Sequence, residues 1–156
     1  MYATCSHGHR HWGTAGAAGA LVFTAEPAGP RVLLTLRSAD VHQGGTWSVP
    51  GGAIDPGDAD ARAAAVREIA EELGLDVAGY PVVGRHEFEC GGWTYSTLLL
   101  LAPDAVPLTA SGWETDDVRW LEVDDVDRLA ERRALHPSFA SSWPALRRQV
   151  VEELAA

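Results

Sequence analysis

The sequence predicts a single α/β domain, a mixed sheet flanked by helices. Short β-branched and aliphatic runs recur, at Gly19–Glu26 (GALVFTAE), Val32–Arg37 (VLLTLR) and Trp93–Leu101 (WTYSTLLLL), each bounded by glycine or proline. Segments with helical spacing fall between and after them, which is the alternation expected of helices packed on a sheet. At 156 residues without repeats, linkers or low-complexity tracts, the chain fits one domain with a real core.

Taken in order, residues 1–14 read as a polar, irregular arm and 15–156 as the domain. In the arm Cys5, His7, His9 and His11 alternate, so an extended segment would point all four the same way. Their spacing matches none of the usual structural zinc patterns, and the favoured expectation is a polar arm whose Trp12 tucks against the domain, with a zinc or nickel site as the competing one. The first strand (19–26) and second (32–37) are separated by Pro27, Gly29 and Pro30, turn formers. After a loop ending in Gly44-Gly45, Trp47–Val49 is a short extended piece, and Pro50 leads into Gly51-Gly52. A helix begins near Asp60, whose side chain can cap it, and stops at Gly74. Val77–Glu89 reads as a strand interrupted by Gly79, Pro81 and Gly84, with Cys90-Gly91-Gly92 as the turn into the strand at 93–101. Val118–Val123 alternates as a further strand. Asp124-Asp125 caps a short helix to about Ala134, and a final helix starts at Pro137, with Leu146, Val150, Val151 and Leu154 at helical spacing.

A net charge of −10 argues against a large nucleic acid or an anionic membrane surface as partner, though bound divalent cations can still admit small phosphates. All 12 basic residues are arginine, which reflects coding background more than function. Two cysteines imply no disulfide framework. The apolar stretch 15–23 is short and punctuated by glycine, a poor signal peptide or membrane span. These features point to a cytoplasmic protein.

The stretch that carries chemistry is Gly51–Leu75, GGAIDPGDADARAAAVREIAEELGL. A helix turns about 100° per residue, so Glu68, Glu71 and Glu72 share one face while Val66, Ile69, Ala70 and Leu73 form an aliphatic stripe on the other. One rigid helix thus buries a stripe and presents three carboxylates, donors suited to a hard cation. Taken alone, an acidic helix face is usually only solvated and a Gly-Gly after proline is usually a turn.

Together, Gly52, Arg67-Glu68-Ile69, Glu71-Glu72 and Gly74-Leu75 closely resemble the signature box of the Nudix hydrolases. The run-in Gly45–Gly51 and the segment from Glu114 to Val126 resemble the same family, so that the likeness covers about residues 15–135. It implies a Nudix-like α/β/α sandwich and a pyrophosphohydrolase requiring Mg²⁺ or Mn²⁺. The family pattern has a glutamate six residues after the box glycine and seven residues between it and the arginine. Here the acid is Asp58, and eight residues separate it from Arg67, one more than the pattern. Either Asp58 reaches in from a bulged turn or that acidic contact is lost.

Hydrolysing a diphosphate needs water attacking phosphorus in line while charge on the phosphate oxygens is neutralised, work for hard cations held by carboxylate and carbonyl oxygen. The resemblance implies Gly52 (through its carbonyl), Glu68, Glu71 and Glu72 as metal ligands, with Glu68 in catalysis. Arg67, four residues before Glu71, is placed to orient a carboxylate. By family analogy Glu114 joins the catalytic group, binding metal, positioning water or acting as base, with Asp116 and Asp117 as ordinary surface acids. Trp93, Tyr95 and Trp113, together with His42, are candidates to stack on a nucleobase, against the commoner reading of tryptophan as a packing anchor. Trp120, inside an alternating strand, reads as core. No Ser-Gln-Pro-Trp run of the NADH-cleaving relatives is present, nor a well-placed downstream proline of the ADP-ribose relatives, which leaves a nucleoside triphosphate slightly favoured. The expected substrate class is therefore a nucleoside diphosphate linked to another moiety. The competing reading is a Nudix-fold binding or regulatory module without turnover, and behind it a structural domain with an incidental acidic helix. An apolar sheet edge is compatible with a homodimer.

Overall fold

The computed structural model describes residues 2–39, 43–110 and 114–155. In chain order its elements are β1 (Tyr2–Thr4), β2 (Arg10–Trp12), β3 (Ala17–Thr24), β4 (Arg31–Arg37), β5 (Trp47–Ser48), β6 (Gly51–Ala53), α1 (Ala61–Leu73), β7 (Val82–Cys90), β8 (Trp93–Ala102), β9 (Thr115–Glu122), α2 (Val123–Glu131) and α3 (Pro137–Ala155).

The centre of the sheet is β3, buried at every position. It runs parallel to β8 along its whole length, Ala17 opposite Tyr95 through Thr24 opposite Ala102. On its other side β3 has two partners in succession. Phe23 and Thr24 pair antiparallel with β4, whereas Ala17–Gly19 pair with Gly51–Ala53 of β6. Strand β4 therefore leaves β3 partway along. It pairs with β9 along one edge and with β5 at its far end, and residues 47–53 fill the fork between β3 and β4. The fork brings Gly51-Gly52 to the open end of the sheet, against β3 and beside α1.

Alternation along β3 and β8 divides the core into two. Ala18, Ala20, Val22, Leu98, Leu100 and Ala102 face α1, where they meet Ala61, Ala64, Ala65, Ile69 and Leu73. Leu21, Phe23 and Leu99 face α2 and α3, packing on Val126, Phe139, Trp143, Leu146 and Val150. This is an α/β/α sandwich, as expected. Small side chains on both surfaces, alanines on β3 and on α1, allow that helix to lie close to the sheet.

The boundaries of α1 follow the sequence reading. Asp60 accepts a 2.8 Å hydrogen bond from the Ala63 amide, and Gly74 closes the helix in the left-handed region at φ 65°. Its buried stripe is rotated from expectation: Ala61, Ala64 and Ala65 are buried, Ala70 is exposed and Val66 is half-buried. The close packing against β3 selects the narrowest side chains, an effect that hydrophobicity spacing does not register.

Other elements depart from the reading in local ways. Residues 77–81 are not strand: Val77 is a buried core residue and its carbonyl accepts from the Tyr80 amide in a turn before β7. The strand starts at Val82 and bulges between Val82 and Gly84, where the extra residue breaks the register with β8. Glu122, not Asp124 or Asp125, occupies the N-cap of α2 and gives it no side-chain cap; the two aspartates lie in its first turn, where they favour the positive end of the helix dipole. Val151 of α3 is 44% exposed although Leu146 and Val150 are buried. Half-buried Trp120 packs against the α1-side core, as read, and its indole donates 2.8 Å to the Val106 carbonyl. The arm is not irregular: β1 and β2 form an antiparallel hairpin, Tyr2 opposite Trp12. Among the described residues no helix is long and apolar enough to cross a membrane.

Candidate active site

Helix α1 and the β6 strand in the fork build the site between them. A Cβ placed on Gly52 would lie 2.5 Å from the Glu68 carboxyl carbon and 2.7 Å from both of its oxygens, so only glycine lets that carboxylate rest against the backbone. A Cβ on the adjacent Gly51 would meet the other face of the strand, 2.5 Å from the Gly19 Cα and 2.6 Å from the Tyr95 hydroxyl. The Gly51 amide donates to Glu72. The glycine pair thus brings backbone into contact with Glu68 and Glu72 on one face and Tyr95 on the other.

Arg67 fixes the entry to the helix. Its Nε and Nη2 donate to the two oxygens of Asp58 at 3.0 and 2.9 Å, a bidentate pairing. Nη2 also donates to the Ala53 carbonyl at 3.2 Å, and Nη1 to Glu68 Oε1 at 3.0 Å, with Glu71 Oε1 more distant at 3.4 Å. Asp58 is therefore the acid that reaches Arg67, from a turn closed by the Asp58 amide on the Asp55 carbonyl and by the Asp55 amide on the Asp58 carboxylate. The longer spacing between Asp58 and Arg67 is absorbed in the segment before the helix, and the acidic contact is kept. The guanidinium holds the Asp58 carboxyl below the ordinary carboxylate range and is itself pushed up by its acidic partners. Arg67 is a positioning residue: it joins the β6 strand, the Asp58 turn and Glu68 into one unit.

The carboxylates are electrostatically unequal. Burial pushes Glu72 up to about 8, and the neighbouring charges of Glu68 and Glu114 push the same way, against Arg37 and the Gly51 amide. Glu68 is also raised, by burial, with the Arg67 hydrogen bond opposing. Glu71 is exposed, at the rim. The carboxylates of Glu68 and Glu72, both raised by burial beside a close-fitting glycine backbone, are hard oxygen donors of the kind that suits a divalent cation.

Glu114 is exposed, but its charge reaches Glu72. Its carbonyl accepts from the Ser38 amide at 2.9 Å, and the β4–β9 register shifts there, Leu36 opposing Asp117 and Arg37 opposing Thr115. The bulge leaves Asp116 as the unmatched residue. Asp117 is engaged locally, with the Val118 amide and with Arg119 Nε, both at 2.8 Å. Arg37, at the end of β4, escaped the sequence reading. It is the cation that counters burial at both Glu72 and Tyr95, and a lone arginine at a strand end carries no motif that would have marked it.

The aromatic candidates separate. The Tyr95 hydroxyl is raised by burial and by Glu72, which ties it to the carboxylate group through the glycine window. A small cleft lined by Ser48, Phe88, Tyr95, Thr97, Ser138 and Phe139 opens beside it, on the α3 side of the sheet. Trp93 sits farther toward the arm, its indole donating 2.8 Å to the Gly13 carbonyl and one face stacked on His11 at 4.1 Å and 7°. Trp113 and His42 lie outside the described residues.

Comparison with known proteins identifies the fold. The NUDIX domain family model matches residues 13–142, and a crystal structure of a Nudix hydrolase from Mycobacterium smegmatis, RenU, superposes with a TM-score of 0.77 at 35% identity, covering 95% of this chain and 92% of that one. The chain belongs to the Nudix hydrolase family. A Mycobacterium tuberculosis protein named "Putative 8-oxo-dGTP diphosphatase 3" is 40% identical over 148 residues, covering 90% of this chain; the chain spans 65% of that relative's length. A Bifidobacterium longum nucleoside triphosphate pyrophosphatase/Nudix hydrolase fusion protein is 32% identical over 145 residues, which make up 29% of its length. Within this Nudix fold, the box residues quoted from the sequence are those that the fork and α1 bring together.

Proposed function

We propose that the protein is a divalent-metal-dependent pyrophosphohydrolase that cleaves a diphosphate linkage in a nucleoside diphosphate joined to another moiety, with nucleoside triphosphates preferred. The observation that carries this reading is the carboxylate group of Glu68 and Glu72 pressed against Gly51-Gly52, with Glu114 in electrostatic reach. In it Glu68, Glu71, Glu72 and the Gly52 carbonyl would hold Mg²⁺ or Mn²⁺. Bound there, the cation supplies charge neutralisation on the phosphate oxygens and a more acidic water.

The chain's own residues do the rest. Arg67 keeps Glu68 in position and prevents the Asp58 turn from opening. Glu114 is the proposed acceptor for the proton of the attacking water, an exposed carboxylate in electrostatic reach of Glu72. Arg37, whose charge reaches Glu72, is the proposed cation for the phosphate negative charge, a role for which arginine suits better than a point charge. Tyr95, which lies in electrostatic reach of Glu72, is the proposed aromatic contact for the nucleoside. The preference for triphosphates is supported by the names of the relatives, among them an Escherichia coli CTP pyrophosphohydrolase 39% identical over 62 residues.

The test is a product-resolved screen of nucleoside triphosphates, oxidised triphosphates, dinucleoside polyphosphates and nucleotide sugars with Mg²⁺ or Mn²⁺. Release of a nucleoside monophosphate with pyrophosphate, or with the phosphorylated second moiety, is expected and should stop with chelator. Binding of nucleotides without product under every metal would favour a binding module instead.

A further inference from the structure

We propose that Cys5, His9, His11 and Cys90 form a structural zinc site that clips the N-terminal hairpin to the turn between β7 and β8. One ligand-capable atom from each of the four lies within 4.8 Å of all the others. Cys90 Sγ is 3.1 Å from Cys5 Sγ and 3.1 Å from His9 Nδ1. A tetrahedral zinc with bonds of about 2.0–2.3 Å sets its donors roughly 3.3–3.8 Å apart, so the four need only small shifts to enclose the ion. His7 stands off, its Nδ1 3.8 Å from Cys90 Sγ, and is left outside the set.

The backbone is shaped to bring these side chains together. Gly8 reverses the chain at φ 82°, with the Cys5 amide bonded to the His9 carbonyl and the Gly8 amide to the Cys5 carbonyl. This turn folds Cys5 back beside His9 and His11, two residues apart and hence on one side of an extended chain. Cys90 arrives from 85 residues away. Gly91 and Gly92, both at positive φ, form the two-residue turn opposite. A Cβ on Gly91 would lie 2.6 Å from the Ser6 nitrogen and 2.9 Å from that of His7, and the Ser6 amide donates to the Gly91 carbonyl at 2.8 Å. Glycine there lets the two turns touch.

Two further features point to an ion. His11 Nε2 is buried with no hydrogen-bond partner, an orphaned lone pair or proton on a ring held in place by Trp93. Both cysteines are buried; Cys90 Sγ has sulfur and imidazole neighbours, and the Cys5 thiol also takes backbone hydrogen bonds from His7 and His9. Two thiols and two imidazoles are soft donors that select zinc over Mg²⁺, unlike the carboxylates of the active site. The clip leads to the box: Trp93 bonds the Gly13 carbonyl, Gly13 packs on Ala53, and the Ile54 amide donates to the Gly16 carbonyl. Zinc would therefore stiffen the segment on which β6 rests, and this holds whether or not the proposed reaction is right.

The test uses the full chain, reduced and purified without chelator. Elemental analysis should find about one zinc per chain, and exchange with cobalt(II) should give thiolate charge-transfer and tetrahedral visible bands. These bands should vanish in C90S and in H11A but persist in E72Q, whose change lies at the other metal site. On the wild type, modifying both thiols should release the zinc, a readout that does not depend on how the variants fold. Reduced protein that takes up no zinc, cobalt bands that survive C90S, or Cys5 and Cys90 found joined as a disulfide in protein that binds no metal once reduced would each overturn the proposal.

Discussion

The two proposed cation sites differ in how the chain assembles them. Glu68, Glu71 and Glu72 lie on one helix, within two turns, and their neighbour Gly52 is on the strand just before it in the chain. Cys5, His9, His11 and Cys90 come from a terminal hairpin and a turn 85 residues on. A helix writes its face into sequence spacing, so the first site is legible before any fold is known. The second site is legible only in part: alternation marks Cys5, His9 and His11, but Cys90 joins them only through the fold. The helix site is also built of hard oxygen donors and the other of soft sulfur and nitrogen, and substitutions should act on one without the other.

The largest separable effect is expected from G52A. Its Cβ enters the space of the Glu68 carboxylate, and turnover should fall by about 100-fold or more, the scale of misplacing a catalytic group by an ångström. The melting temperature should change little and the zinc content not at all. Equal turnover in G52A and wild type would show that Glu68 need not stand where it does.

Next is D58A, which leaves Arg67 without its bidentate partner. A roughly 10- to 100-fold loss in metal affinity or turnover is expected, the range for residues that orient metal ligands. D58E should restore part of it. If D58A were silent, the longer entry to the helix would be a neutral insertion and Arg67 would need only Glu68 and Ala53.

The pH response separates the sites more finely. Glu72 ionises at about 8 in the folded, metal-free protein against 4.5 for the ordinary group. Folding therefore favours its protonated form, a contribution that is full below about 4.5 and is lost as pH rises toward about 8. Metal-free protein should lose melting temperature across that window from this group, and E72Q should be the more stable form at pH 8 without metal. Addition of Mg²⁺ should reverse the loss in wild type with release of a proton, and do nothing for E72Q. A metal-free E72Q less stable than wild type at pH 8 would contradict the burial of this charge.

The smallest effect is D60A, which removes the cap on the α1 N-terminus at an expected cost of about 1 kcal/mol by denaturant titration, with turnover nearly unchanged. A large loss of turnover would mean that the cap, rather than Arg67, sets the helix entry.

Much of the fold was readable because it rests on local patterns. The aliphatic runs marked β3, β4 and β8, and Asp60 and Gly74 marked the ends of α1. What could not be read depends on contacts between distant segments. The narrow stripe on α1 follows from its closeness to β3, the bulge at Val82–Gly84 from pairing with β8, and the position of Arg37 from the fork of the sheet. The same holds for Asp58. Counting residues left two outcomes for it, and only the Asp55–Asp58 turn decides that it reaches Arg67.

The central claim, that the carboxylate group at Gly51-Gly52 is the hydrolytic centre, is tested most directly by phosphate release. A nucleoside triphosphate turned over by wild type with Mg²⁺ should be offered to E68Q and E72Q, with circular dichroism to verify the fold. Losses of about 10²- to 10³-fold in each, on the scale of removing a group that stabilises developing charge, are the predicted result. Wild-type rates in both folded variants would contradict the account.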